Sequence, residues 1–171
     1  MLNEAAGELR NLPIYIDDTP SIKVAEIFSK CRKLRSEKGL GMIVVDYIQL
    51  LSAAKASENR QQEVSEISRG LKALAREMQV PVIALSQLSR LVERREDKRP
   101  MLSDLRESGA LEQDADIVLF LYRDEYYQKE KVEDMQEKVE VDIAKHRNGP
   151  TRRIELAFDR NINAFYNYAK E

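Results

Sequence analysis

Met42-Ile43-Val44-Val45-Asp46 is an apolar run that stops on a carboxylate. A continuous run of this kind, rich in β-branched residues and without polar alternation, suits a strand buried on both faces, as in a parallel sheet. Three other runs have similar shape. Pro13-Ile14-Tyr15-Ile16 stops at Asp17-Asp18, Val80 to Leu85 ends in Ser86-Gln87, and Ile117 to Tyr122 is entered through Asp114-Ala115-Asp116. Amphipathic stretches lie between them. Thr19-Pro20 reads as a helix cap followed by a first-turn proline, with Ile22, Ala25, Phe28 and Cys31 at helical spacing and Gly39 as the stop. Val64, Ile67, Leu71, Leu74, Ala75 and Met78 mark one face of a helix about five turns long, with Asn59 and Gln62 at capping-box spacing before it. The tail changes period. Val139, Val141 and Ile143 alternate with polar residues, Asn148-Gly149 is a hairpin signal, and Ile154, Leu156 and Phe158 alternate on the return. A turn at Asn161–Asn163 precedes Phe165 to Tyr168. These patterns predict an α/β fold whose mostly parallel sheet is finished by antiparallel hairpins.

Composition narrows the function classes. The 171 residues carry 28 Lys and Arg against 30 Asp and Glu, for a net charge of −2, with 43% hydrophobic and 34% charged residues. That balance fits one soluble domain and excludes both disorder and a membrane span. It argues against a generic basic nucleic-acid coat and leaves a local basic site open. One cysteine excludes an internal disulfide framework and a multi-cysteine zinc site, and His146 alone makes no histidine metal cluster. Cys31 lies on the expected buried stripe and reads as an inert core thiol. Met1 to Arg10 is too polar for a secretory signal, so a reducing cytoplasm is expected.

Four constellations could carry chemistry. Asp46, at the carboxyl end of an apolar strand, stands where nucleotide-hydrolysing α/β proteins place the acid that holds Mg²⁺ beside the phosphates. A helix cap or a surface acid reads the same in isolation. Gln87, at the end of the next strand, offers an amide to a terminal phosphate, although a polar strand end needs no special purpose. Together the two converge on one rim of the sheet. Arg106-Glu107-Ser108-Gly109 suits phosphate contact by a guanidinium and exposed backbone N–H groups. Its alternative is a turn whose arginine pairs with Asp104 or Glu107. Lys145 and Arg147 share one side of a hairpin end and could reach a neighbouring subunit's triphosphate. The alternative is a solvated tip, with His146 as a bystander on the other face.

Taken in order, these blocks resemble one family. Ile14-Tyr15-Ile16-Asp17-Asp18-Thr19-Pro20, Gly41 to Leu50, Glu58 to Ile67, Val82 to Arg90, Asp104 to Gly109, Glu112 to Asp116 and Lys145 to Pro150 resemble the C-terminal, RecA-like motor domain of bacterial replicative helicases of the DnaB type. The likeness covers residues 12–168, and residues 1–11 are expected to be poorly ordered. It implies that 1–171 is a partial RecA-like ATPase domain, a three-layer sandwich using ATP and Mg²⁺. In this reading Asp46 is the metal-holding acid and Gln87 the phosphate-sensing amide. Lys145 and Arg147 act in trans on the adjacent subunit's nucleotide. Arg106, Glu107 and Gly109 contact single-stranded DNA in the channel. The intact ring is a homo-hexamer that moves 5′→3′, unwinds duplex at the fork, and meets primase and a helicase loader. Its expected place is the cytoplasm, at the nucleoid, with no membrane partner.

One departure stands out. The glycines are at 7, 39, 41, 70, 109 and 149, and none begins a Gly-x-x-x-x-Gly-Lys-[Ser/Thr] loop. In the family that loop and a catalytic glutamate lie upstream, and they supply most of the triphosphate grip. The expectation is therefore a motor fragment lacking the P-loop strand and helix, inactive alone and without bound nucleotide. A fragment of another RecA-like ATPase, or an interaction module for loader or primase, is the alternative. Thr151-Arg152-Arg153 is also more basic than the family pattern leads one to expect.

Overall fold

A computed structural model of the chain describes residues 2–53, 59–124 and 136–168, without the side chains of 2, 3, 5, 106–108 and 136. The elements run α1 (Leu2–Arg10), α2 (Val24–Lys38), β1 (Ile43–Val45), α3 (Arg60–Met78), β2 (Val82–Ala84), α4 (Gly109–Asp114), β3 (Ile117–Tyr122), β4 (Gln136–His146), β5 (Arg152–Asp159) and β6 (Ala164–Asn167). The 3₁₀ turns Ile48–Leu50, Arg90–Arg94 and Leu102–Ser108 link them. β1 and β2 pair in parallel, and β3-β4-β5-β6 form an antiparallel sheet in that order. The fold is α/β, with the run Ile117–Tyr122 opening the antiparallel sheet rather than extending the parallel pair.

α3 organises the first core. Of its apolar positions, Val64, Ile67, Leu71, Leu74 and Met78 are buried against Ile43, Val45, Ile48 and Leu51 while Ala75 is half-buried, and α2 packs alongside through Ile27, Phe28 and Cys31. Asn59 caps the helix by accepting from the Gln61 N–H at 2.9 Å. At Gly70 the two helices come close enough that a Cβ would stand 2.8 Å from Val24 Cγ1. β1 is covered on this side only. Ile43 and Val45 are buried, while Val44 is 56% exposed, as is Ile83 on β2 at 50%. The expectation of burial on both faces is therefore corrected, because α3 covers one face and no described residue covers the other.

Two further expectations change. Pro13–Ile16 forms no strand, and Ile14 and Ile16 are exposed, since no described strand offers them a ladder. α2 starts at Val24 rather than after Thr19. The Asp17 carboxylate takes the Thr19 N–H (3.1 Å) and hydroxyl (2.6 Å) together with Lys30 Nζ (2.5 Å), and these bonds, Lys30's above all, lower its pKa to about 2. Ile22 and Lys23 instead extend to meet Ser52. The stop at Gly39 stands, with φ 85° and its N–H on the Arg35 carbonyl. Cys31 is half-buried, and burial raises its thiol pKa, which keeps it a poor nucleophile.

The second core is smaller: Leu105, Val118 and Phe120, with Leu88 and Leu102 packed on them. Ion pairs fasten the 88–108 connection over this core. Arg95 is bidentate to the buried Asp104 at 2.9 and 2.7 Å, and Arg99 is bidentate to Glu140 at 3.0 and 2.9 Å while lying over the Tyr122 ring. Burial and the Asp124 partner push the Tyr122 hydroxyl up to about 12.

Glu140 gives a pH prediction. The Arg99 hydrogen bonds hold its carboxyl below the ordinary 4.5, against a smaller opposing effect of burial. A depressed folded pKa means that the ionised group stabilises the fold above about pH 4.5 and that this contribution is lost as pH falls through the folded value. Thermal melts from pH 7 to 3 are expected to show Tm falling below pH 4.5, with a shallower acid limb in Glu140→Gln. Parallel curves for the two proteins would contradict this.

Candidate active site

The sequence of β1 and β2 decides where the site stands. Their register pairs Val45 with Ala84, and the ladder continues past the strands, with Leu85 N–H on the Val45 carbonyl and Ile48 N–H on the Leu85 carbonyl, both at 2.9 Å. Asp46 and Gln87 therefore leave neighbouring parallel strands, which lie roughly 4.8 Å apart, at the same carboxyl rim. Both residues are exposed, and neither side chain has a hydrogen-bond or ionic partner among the described residues. The Asp46–Tyr47 peptide bond is cis.

A single free carboxylate fits an ion held mainly by phosphates and water, as Mg²⁺ usually is in such sites. Among the described residues no group of three His, Cys, Asp or Glu could hold a metal. The Asp46 carboxylate could hold a nucleotide-borne Mg²⁺ through its water shell. Gln87 can both donate and accept, as contact with a phosphate oxygen or water requires.

Sequence reasoning missed one residue of this rim. Gln49 lies in the 3₁₀ turn after Asp46, and its side-chain amide pairs with the Gln87 backbone. Oε1 accepts from Gln87 N at 3.2 Å, and Nε2 donates to Gln87 O at 3.3 Å and to Ser86 Oγ at 3.1 Å. The Gln49 carbonyl in turn accepts from Arg60 Nη2 at 2.8 Å, at the start of α3. The available signal was a lone polar residue between Ile48 and Leu50, three positions past the acid.

The remaining candidates are placed differently. Lys145, next to the last residue of β4, sets its ammonium on the Glu112 and Gln113 carbonyls at 2.5 and 3.2 Å, at the C-terminus of α4 where a cation is favoured. Arg147 lies 3.4 Å from both the Gln113 carbonyl and Asp116 Oδ1, and its backbone N–H reaches the Asp116 carbonyl at 2.8 Å. Both cations thus gather on the 112–116 corner, which also takes Ser68 Oγ at 2.7 Å through Asp114 and Lys72 through Asp116. Lys72, then Arg147, lowers the Asp116 pKa.

The hairpin tip is shifted from its expected position. Continuing the Ile143–Arg152 register inward puts Arg147 and Asn148 at the tip, and neither Asn148 nor Gly149 has a positive φ. A Cβ at 149 would meet the His146 imidazole where it now stands, so a larger residue there requires that ring to turn aside. Residues 106–109, expected to form an open loop, are helical: the Leu102–Ser108 turn runs into α4, and Gly109 has φ −50°. The side chains of Arg106 and Glu107 lie outside the described residues, and Gly109 is exposed. Of the basic connection, Arg95 and Arg99 are committed to carboxylates, while Arg90 and Arg94 stay exposed.

Among the described residues no helix is long and apolar enough to cross a membrane. The family described as the DnaB-like helicase C terminal domain matches residues 1–167. The chain is 62% identical over 167 residues to the replicative DNA helicase DnaB of Geobacillus stearothermophilus, covering 97% of this chain and 36% of that protein. It is 61% identical to the replicative DNA helicase DnaC of Bacillus subtilis strain 168, with the same coverage. Among solved structures, a DnaB-like replicative helicase studied with its primase interactions superposes with a TM-score of 0.89 at 53% identity, over 98% of this chain and 41% of that one. A second solved structure, of an ATPase domain, gives the same TM-score and identity, over 98% and 59%. The chain thus spans about a third of the length of the curated helicases it matches, and by sequence and by fold it belongs to the DnaB-like helicase C-terminal domain family.

Proposed function

We propose that this chain is the part of an ATP-driven replicative helicase that reads the nucleotide's phosphates and the DNA strand. The observation that carries this reading is the shared rim: Asp46 and Gln87 on adjoining parallel strands, with both side chains free of partners among the described residues. ATP with Mg²⁺ supplies the energy when bound in the intact protein. Asp46 positions the metal's water shell, and Gln87 responds to the terminal phosphate. The upstream P-loop found in the family, absent from this sequence, supplies the main grip, so the 171-residue chain by itself is expected not to hydrolyse ATP. Lys145 and Arg147 serve a neighbouring subunit's nucleotide. The 3.4 Å separations and the exposure of Arg147 leave it free to exchange its present contacts for a phosphate.

Arg106, Glu107 and Gly109 form the contact with single-stranded DNA. The partners that go with this reading are the other copies of a homo-hexameric ring, primase and a loader, and the place of action is the cytoplasm at the nucleoid. The test uses an intact helicase made by setting residues 1–167 into the Geobacillus stearothermophilus protein in place of its matching stretch. That chimera is expected to unwind a forked duplex from 5′ to 3′ with ATP. Arg106→Ala is expected to weaken its binding to single-stranded DNA and to reduce the slope of log K against log salt by about 0.7, one phosphate's worth on a single strand. An unchanged slope would remove Arg106 from the DNA, and a chimera without unwinding would count against the reading as a whole.

A further inference from the structure

The side-chain amide of Gln49 meets the peptide of Gln87 as a neighbouring strand would, donating to its carbonyl and accepting from its N–H. A third bond, to Ser86 Oγ, fixes the amide's orientation. We infer that Gln49 is a positioning residue, a clamp that holds the Gln87 backbone against the turn leaving Asp46 so that the two rim groups keep one relative geometry. This inference rests on the proposed roles of Asp46 and Gln87 and adds to them the element that couples the two.

The reason lies in how the strands end. The β1–β2 ladder has its last regular bond at Leu85 N–H to the Val45 carbonyl, and the return bond Ile48 N–H to the Leu85 carbonyl closes it. Gln87 lies two residues beyond that point, exposed and outside any regular element. The next backbone tie is the Ser89 N–H on the Asp104 carbonyl at 3.1 Å, so among the described residues Gln87 sits midway along a stretch whose backbone is otherwise held only at its two ends. Gln49 ties that stretch from the opposite chain segment. It is itself anchored, because its carbonyl accepts from Arg60 Nη2 at 2.8 Å, and Arg60 also pairs with Glu63. Glu63 in turn accepts the Ala53 N–H at 3.3 Å. The first turn of α3 therefore holds the whole 49–53 segment, and Gln49 passes that rigidity on to Gln87. Its side-chain amide is taken up by the Gln87 peptide and Ser86 Oγ, so its effect is exerted through Gln87.

The first test is made on the 171-residue chain. Amide hydrogen exchange at Gln87 is expected to quicken roughly tenfold or more in Gln49→Met, which keeps the bulk and removes the hydrogen bonds. Exchange at Leu85, whose N–H is held by Val45, is expected to stay as it was. Equal exchange at Gln87 in the two proteins would overturn the clamp.

The second test is made on the chimeric helicase, with Gln49→Met, Gln87→Ala and the double variant. Gln49→Met is expected to lower kcat for ATP roughly tenfold with KM nearly unchanged, and the double variant to be no slower than Gln87→Ala alone. That non-additivity marks action through Gln87. A purely structural role would instead lower the melting temperature and make the losses multiply. If Gln87→Ala slows turnover and Gln49→Met does not, the inference fails while the site stands. If Gln87→Ala turns over normally, the proposed site itself fails.

Discussion

Asp46→Asn is expected to reduce ATP hydrolysis by the chimeric helicase at least a hundredfold while leaving its assembly and melting temperature almost unchanged. The change keeps the shape of the side chain and removes its charge. In water that charge is worth little, but beside a metal and a polyphosphate it helps set the ion's position where negative charge develops. The structural side of the prediction follows from the site. Asp46 is exposed and has no hydrogen-bond or ionic partner among the described residues, so its substitution removes no contact of the fold, and surface changes of that kind stay within about 0.5 kcal/mol. The measurement pairs steady-state turnover with a thermal melt and the mass in solution. Full turnover in the variant would take Asp46 out of the metal site, whereas lost turnover with a lowered Tm would make its role structural.

The second large effect concerns what holds the rim in place. Leu74→Ala is expected to destabilise the chain by about 2–5 kcal/mol, the usual cost of deleting a fully buried leucine and leaving part of the cavity open. Leu74 has no exposed surface and lies in the cluster that joins α3 to Ile43 and Val45 of β1. At roughly 2–4 °C per kcal/mol for a chain of this size, Tm should drop by about 4–20 °C. Leu121→Ala on β3 is the matched control. Its side chain is 66% exposed, so little further surface is freed and the shift should be within about 2 °C. Similar losses at both positions would mean that the face bearing Leu121 is covered and that the burial described above is wrong.

The α3 face was legible because a 3.6-residue period over 19 residues is hard to imitate, and the alternation in β4 and β5 was legible for the same reason with a period of two. Asp46 and Gln87 could be placed on one rim because each ends an apolar run, and parallel strands bring their carboxyl ends together. Non-local partners were what the sequence hid. Nothing near Arg95 or Arg99 announces Asp104 and Glu140 as their carboxylates, so a connection of pinned arginines read as a basic loop. Thr19-Pro20 looked like a helix start until Asp17 and Lys30 claimed the threonine. The amide of Gln49 finds the Gln87 peptide 38 residues away. At the hairpin, Asn148-Gly149 signalled the turn, while the strand register centres its tip one residue earlier, at Arg147 and Asn148.

Everything proposed for this chain requires that one polyphosphate be shared by two strand ends. The direct measurement is a structure of the intact chimeric ring with Mg²⁺ and a slowly hydrolysed ATP analogue. The expected result is the Asp46 carboxylate in the metal's hydration shell and the Gln87 amide within hydrogen-bonding reach of the terminal phosphate or its water. A nucleotide bound in the ring with either side chain turned away from it, beyond the span of one bridging water, would show that the two strand ends do not share a ligand.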